Sequence, residues 1–373
     1  MVIAWFRPNQ SVAAVDYTRY LIDVLGHRHR VDLFDARRAH DFLWMHRSSP
    51  YDVCIYELDN TAGHQFVWPY LLHYPGVTML RRSSLVEART MTLSQQGRTE
   101  HLLAELAWDR AGDMLAAPMA ASKLVVVSSM AAADAIRSDY DSSRIRYVPA
   151  GVPSIGAARH NNSDEVSVGY VNTDARRRQV IERAAERARD AGVRVKTVID
   201  ENARRVLDQA DAVLDLCLPA AGAPLTLALA GMAASRPVVV FDAAETADWP
   251  SLDPQTWQQR GARSALSPMC ISIDPRDEEH SLMLTLKRLA SDAELLRQVG
   301  AAGHDYWRAH ATVEHMVAAF EAVLQESITM APPRPSDLLP HLSADGTEKA
   351  RAILDELGIS ASDAGLDGNR IRG

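Results

Sequence analysis

Cysteine is scarce in this chain: three among 373 residues, Cys54, Cys217 and Cys270, lying far apart beside strand-like apolar residues. With no C-x-x-C spacing there is no disulfide framework and no thiolate metal motif, and the three thiols are expected to sit reduced in the core of a cytoplasmic protein. A basic excess is missing as well. The 40 Lys and Arg against 48 Asp and Glu leave a formal charge of −8, which argues against a general nucleic-acid binder, since such proteins use surplus cations to release counterions. No run approaches the roughly 18 uninterrupted apolar residues of a membrane span. The opening Met1-Val-Ile-Ala-Trp-Phe-Arg7-Pro8 meets charge and proline too soon for a secretory leader. Peripheral contact with a membrane is left open by these absences.

What the chain has is apolar content, 47%, ample at this length for two buried cores. Strand-like runs alternate with helix-period segments throughout, the pattern of parallel sheets built from βαβ units, so the predicted class is α/β. In the first half, strands are predicted over 2–6, 31–34, 53–58, 77–80, 124–127 and 145–148, with helices over 15–25 and through 85–106. The turn Pro149-Ala-Gly151-Val-Pro153 and the polar run 160–165 then mark a boundary, giving a first domain at 1–157. The second, 158–330, repeats the order. Its strands are predicted at 166–170, 193–198, 212–218, 238–241 and 270–273, and its helices at 175–191, 202–209, 225–234, 279–290 and 292–300. Residues 331–373 read as a proline-containing linker and polar tail with one helix, 347–357. Two Rossmann-like halves imply a cleft beyond the carboxyl ends of their strands, where open α/β sheets bind ligands.

Several segments, taken in order, resemble the GT-B fold glycosyltransferases and in particular their retaining family-four group. They are Tyr51-Asp-Val-Cys-Ile-Tyr-Glu57-Leu-Asp-Asn60 with His64 and Trp68-Pro-Tyr70, then Leu72-His-Tyr-Pro75-Gly76 leading to Leu80, Val125-Val-Val-Ser128-Ser129 and Val148-Pro-Ala-Gly151-Val-Pro153. In the second half they are the stretch from Leu216 to Asp242, Tyr306-Trp307 and Thr312-Val-Glu-His315. Collinear order carries the likeness, not any one motif. It implies two Rossmann-like domains facing a central cleft, with a C-terminal helical extension. It also implies sugar transfer from a nucleotide-diphosphate sugar to an acceptor with retention, needing no metal and no cofactor beyond that co-substrate. Whether the acceptor is a saccharide, a lipid-linked molecule or a small molecule is not legible.

Breaking an anomeric C–O bond while a diphosphate leaves calls for cationic side chains and helix N-termini against the growing negative charge. Arg176 and Arg177 open the first helix of the second domain, where the resemblance places a cation on the donor diphosphate; a solvated basic face is the plainer reading. The loop ending in Gly222, Ala223 and Pro224 precedes a helix whose first amides are expected to be free for phosphate, with Thr226 a polar group at its head. Relatives carry Glu at the place of Ala223 and again at that of Gly231, and both are absent. In the first domain Arg81 and Arg82 stand where relatives have His then Asp. A guanidinium cannot act as a base, but it suits a phosphate or carboxylate on an acceptor. His64, after the small polar loop Asn60-Thr-Ala-Gly63, is placed by the resemblance in the cleft, together with Asn60, Ser128 and Gly151. The opening loop, Pro8-Asn-Gln-Ser-Val-Ala-Ala14, lacks the glycines of relatives. Because these losses concentrate at the site, a second reading stands beside the enzyme: a catalytically degenerate GT-B protein that scaffolds a partner, such as an active glycosyltransferase. A homo-oligomer is compatible with either.

Overall fold

In the computed structural model the described residues are 1–9, 15–156, 165–171, 174–217, 224–260, 267–334, 337–344 and 348–360. The predicted boundary at 157/158, and the site residues Gly222 and Ala223, lie outside them.

The first half runs β1 (Val2–Phe6), α1 (Tyr17–Gly26), β2 (Arg30–Phe34), α2 (Asp41–Ser48), β3 (Val53–Leu58), α3 (Trp68–His73), β4 (Val77–Leu80) and α4 (Val86–Gln95). It continues through α5 (Thr99–Trp108), α6 (Ala116–Ala121), β5 (Leu124–Val127), α7 (Met130–Asp139) and β6 (Ile145–Tyr147). The second half runs β7 (Val166–Val171), α8 (Ala175–Asp190), β8 (Val195–Asp200), α9 (Ala203–Gln209), β9 (Ala212–Asp215), α10 (Thr226–Ala233), β10 (Val238–Phe241), β11 (Ser251–Leu252), β12 (Gln259–Arg260) and β13 (Cys270–Ile273). Helices close the chain: α11 (Glu278–Ser291), α12 (Ala293–His310), α13 (Val313–Thr329), α14 (Pro340–Ser343) and α15 (Glu348–Glu356).

Two sheets result, ordered β2-β1-β3-β4-β5-β6 and β12-β11-β13-β10-β9-β7-β8. All pairings are parallel except β11 with β12. Runs such as Leu-Val-Val-Val in β5 and Val-Val-Val-Phe in β10 are buried throughout, as strands covered by helices on both faces must be. The single helix predicted through 85–106 is two, broken at Gly97, whose φ is +66°. The helix predicted to stop at Gly300 continues to His310, because Gly300 serves there as a contact surface: a Cβ on it would lie 2.3 Å from the Ser235 carbonyl oxygen. The short β11–β12 pair and α14 escaped prediction, being too brief to show a period.

After α12 the chain leaves the second sheet. Helix α13 packs against α1 of the first half, stacking Phe320 on Trp5 of β1 with centroids 5.7 Å apart. Around that stack Arg28 pairs with Glu321 at 2.8 Å, Arg146 pairs with Glu326, and Lys123 Nζ donates to the Ser327 carbonyl at 3.1 Å. The crossing strand meets the start of α13 so closely that a Cβ at Gly151 would stand 2.4 Å from the Thr312 carbonyl oxygen. Beyond α13, α14 returns to the first domain, burying Leu342 in its core. Among the described residues no helix is long and apolar enough to cross a membrane.

Candidate active site

Each sheet changes direction at its first strand. The chain steps from β1 to β2 on one side and then to β3 on the other, and likewise from β7 to β8 and then β9. Such switch points open crevices at the carboxyl ends of the strands. At the first of them Glu57, within the wholly buried strand β3, is itself fully buried. A carboxylate in that place needs hydrogen bonds and a counter-charge. Trp5 Nε1 donates to its Oε1 at 2.9 Å, Arg81 Nη1 donates to its Oε2 at 2.7 Å, and Arg7 Nε stands 3.5 Å from Oε1. Arg7 Nη2 also donates to Asp16 Oδ2 at 2.7 Å, while Asp16 Oδ1 accepts from Thr18 Oγ1 at 2.7 Å. Burial alone would raise the Asp16 pKa, but Arg7 and Thr18 outweigh it and hold the carboxyl below its ordinary value.

Arg81 is thus a buried member of this network, with its guanidinium 5.3 Å from the centre of the Tyr17 ring. Burial opposes its charge, and the surrounding Tyr17, Glu57, Asp16 and Asp59 more than restore it. Arg82 is more open, with Nε 3.0 Å from Asp59 Oδ1. Asn60 Oδ1 accepts from the Ala88 amide at 2.9 Å, satisfying one of the open donors in the first turn of α4. His64 is 3% exposed, with Nδ1 2.9 Å from Thr61 Oγ1 and no hydrogen-bond partner at Nε2. Burial lowers its pKa to about 4 against the pull of Asp59 and Glu57, so the imidazole is neutral at neutral pH. Ser128 Oγ lies 3.2 Å from the Tyr17 hydroxyl. Arg81, Arg82, Asn60, His64 and Ser128 therefore gather at the ends of β3, β4 and β5, whereas Gly151 lies at the crossing into α13.

At the second switch point Asp215 ends β9, 4% exposed. It accepts from the Ala228 amide at 2.9 Å, from the amides of Leu227 and Cys217, and from the Cys217 side chain. Burial raises its pKa, with those bonds pulling the other way. Leu227 and Ala228 belong to the first turn of α10. The Thr226 amide closes on the Pro224 carbonyl at 2.9 Å, and Pro224 has no N–H. The expectation of free amides at this helix head is therefore corrected: the chain satisfies them itself. Thr226 Oγ1 accepts from the Val15 amide at 3.3 Å, tying the opening loop of the first domain to α10.

Gly231 faces the sheet, where a Cβ would come within 2.8 Å of Val238 Cγ1. A carboxylate at that position would enter the core, so glycine there reflects helix-on-sheet packing, not a lost sugar contact. Arg177 pairs with Glu278 and covers the Phe241 ring at 4.7 Å. Arg176 is exposed at the start of α8, where Asp174 accepts its amide at 2.9 Å. Neighbouring strand ends are acidic too: Asp242 and Asp253 share Arg260, and Asp274 holds Arg276.

Sequence reasoning passed over Arg7, Asp16 and Asp215, and read Glu57 only as part of a motif. Their signal was a lone charge inside or at the end of an apolar run, since a buried charge demands a partner. Beside Arg7 a cavity of about 410 Å³ opens at the ends of β1 and β2, lined by Asp16, Arg19, Ile22, Asp35 and Arg38. Another, of about 500 Å³ by Val166, Gly192 and Leu289, lies at the amino ends of β7 and β8, the wrong end of the sheet for a site of this kind.

Two parallel sheets with their switch points turned toward a shared cleft, and a last helix returning to the first, make up the GT-B fold of glycosyltransferases, and this chain has it. Among solved structures, HepE from Anabaena in complex with UDP-glucose is similar with a TM-score of 0.55 at 12% identity, over 87% of this chain and 99% of that one. A glycosyltransferase from Rickettsia africae gives 0.51 at 10% identity, over 88% and 99%. TarM gives 0.50 at 12% identity, over 76% of this chain and 57% of its own. No family profile and no curated protein sequence matches the chain.

Proposed function

We propose that the protein is a glycosyltransferase that moves a sugar from a nucleotide-diphosphate sugar to a hydroxyl-bearing acceptor, with retention and without a metal, in the cytoplasm. His64 is the observation that carries this reading. Its Nδ1 is held by Thr61, its Nε2 is buried and unpartnered at a switch point, and the fold is shared with HepE bound to UDP-glucose. A neutral imidazole accepts a hydroxyl hydrogen bond without bringing charge into the site. Arg81 acts here as a positioning group that, with Glu57, fixes Arg7 and the turn after β4. Arg82, Asn60 and Ser128 line the acceptor side. Exposed Arg176 meets the donor diphosphate with Arg177 braced behind it, and the loop of Gly222, Ala223 and Pro224 borders the donor. Calorimetric titration with UDP-, GDP- and ADP-sugars, with an assay for donor hydrolysis, tests the proposal. One donor is expected to bind, with turnover falling about tenfold or more in His64→Ala; binding of none sinks it.

The satisfied head of α10 favours a second reading, a GT-B scaffold for a partner glycosyltransferase. On that reading the folded protein ignores every sugar nucleotide and associates with an active transferase.

A further inference from the structure

In the first turn of α10 every amide from Thr226 to Leu229 has a partner within the chain. Thr226 closes on Pro224, Leu227 and Ala228 end on Asp215, and Leu229 closes on Leu225. Pro224 has no donor to give. What fills the helix head is a buried side-chain carboxyl seated on backbone amides, in the place a phosphate at a helix N-terminus would take. The place is not remote from the cleft, because Thr226 at the same head is bonded to Val15 of the first domain.

We propose that Asp215 is an intrachain occupant of the phosphate position at the head of α10, so that the diphosphate of a nucleotide donor gains nothing from this helix and is met by side chains, Arg176 foremost. The last clause alone rests on the functional reading above. Being tethered thirteen residues upstream of Ala228, the carboxylate is present at an effective concentration that a free anion cannot match at ordinary ligand levels. A phosphate entering beside it would find the Ala228 amide already taken. Cys217 adds an amide and a side-chain contact to the same carboxyl, so the group is held from the end of β9 and from α10 together. The position thereby discriminates among ligands: it accepts no phosphate unless Asp215 is removed.

Thermal melting of the full chain with inorganic pyrophosphate tests this. Asp215→Ala empties the position, and pyrophosphate is expected to raise its melting temperature by several degrees more than that of wild type. Equal shifts in the two proteins, or a folded Asp215→Ala that gains nothing, overturn the proposal. If that variant does not fold, wild type decides alone, with amide resonances labelled on Leu and Ala. Leu227 and Ala228 are expected to stay in place at saturating pyrophosphate and UDP, and their displacement overturns the proposal. Failure of sugar nucleotides to bind removes the functional reading but leaves the pyrophosphate result to stand or fall by itself.

Discussion

His64 owes its neutral form to burial, with Asp59 and Glu57 pulling weakly the other way. Its folded pKa, about 4, lies below the ordinary histidine value of 6.5, so between those pH values the unfolded chain binds the extra proton. Stability contributed by neutral His64 is then complete above about pH 6.5 and drains away as pH falls toward 4. Melting curves from pH 7 to 4 are expected to show a loss of roughly 2–3 kcal/mol that is missing in His64→Gln. Glu57 sets a different expectation. Replacing it with Ala removes the fully buried carboxylate that Arg81 and Arg7 share, leaving Arg7 to Asp16 alone, and the cost should be about 3–5 kcal/mol in urea unfolding. Trp5 loses its acceptor in the same variant. A tolerated Glu57→Ala would mean that the network around it adds no stability. Neither residue's partners were legible in the sequence, since Trp5, Arg7 and Arg81 are joined to Glu57 only by the order of strands.

Elements were read more reliably than their ends. Strands such as β5 and β10 announce themselves by unbroken β-branched runs, which only a doubly covered parallel sheet can use. The head of α10 was misread because its capping group comes from β9, thirteen residues away, and sequence signals for caps look to the adjoining residue. The α4–α5 pair shows the same limit. Arg89 reaches Glu105 with two bonds, 2.8 and 2.6 Å, and lies over the Trp68 ring at 4.1 Å; His341 of α14 adds Nε2 to Glu105 at 3.0 Å. This short C-terminal segment is held chiefly by buried Leu342. Leu342→Ala should cost about 2–4 kcal/mol and, in hydrogen exchange, release the amides near 342 before those of β3. Unchanged protection there would mean that the segment is held by His341 and its polar neighbours.

At the scale of the molecule, α13 decides how the halves are joined. Its rim contacts are ion pairs that still reach solvent, and each should matter little: Arg146→Ala is expected to change stability by about 1 kcal/mol or less. The crossing at Gly151 is another matter. Any side chain there meets the Thr312 carbonyl oxygen, so Gly151→Val should lower the melting temperature sharply and split the calorimetric transition in two as the domains part. A single transition at the wild-type temperature would refute that account of the crossing. Two domains could be seen in the sequence from alternating patterns alone. The return of the last helix to the first sheet could not, because nothing local to residues 313–329 says which apolar face they will cover.

The Phe320–Trp5 stack bears on biosynthesis. Trp5 meets its covering ring only after more than three hundred further residues have been translated. Synthesis of α13, not of the first half alone, is what lets the strand at Val2–Phe6 acquire its full cover.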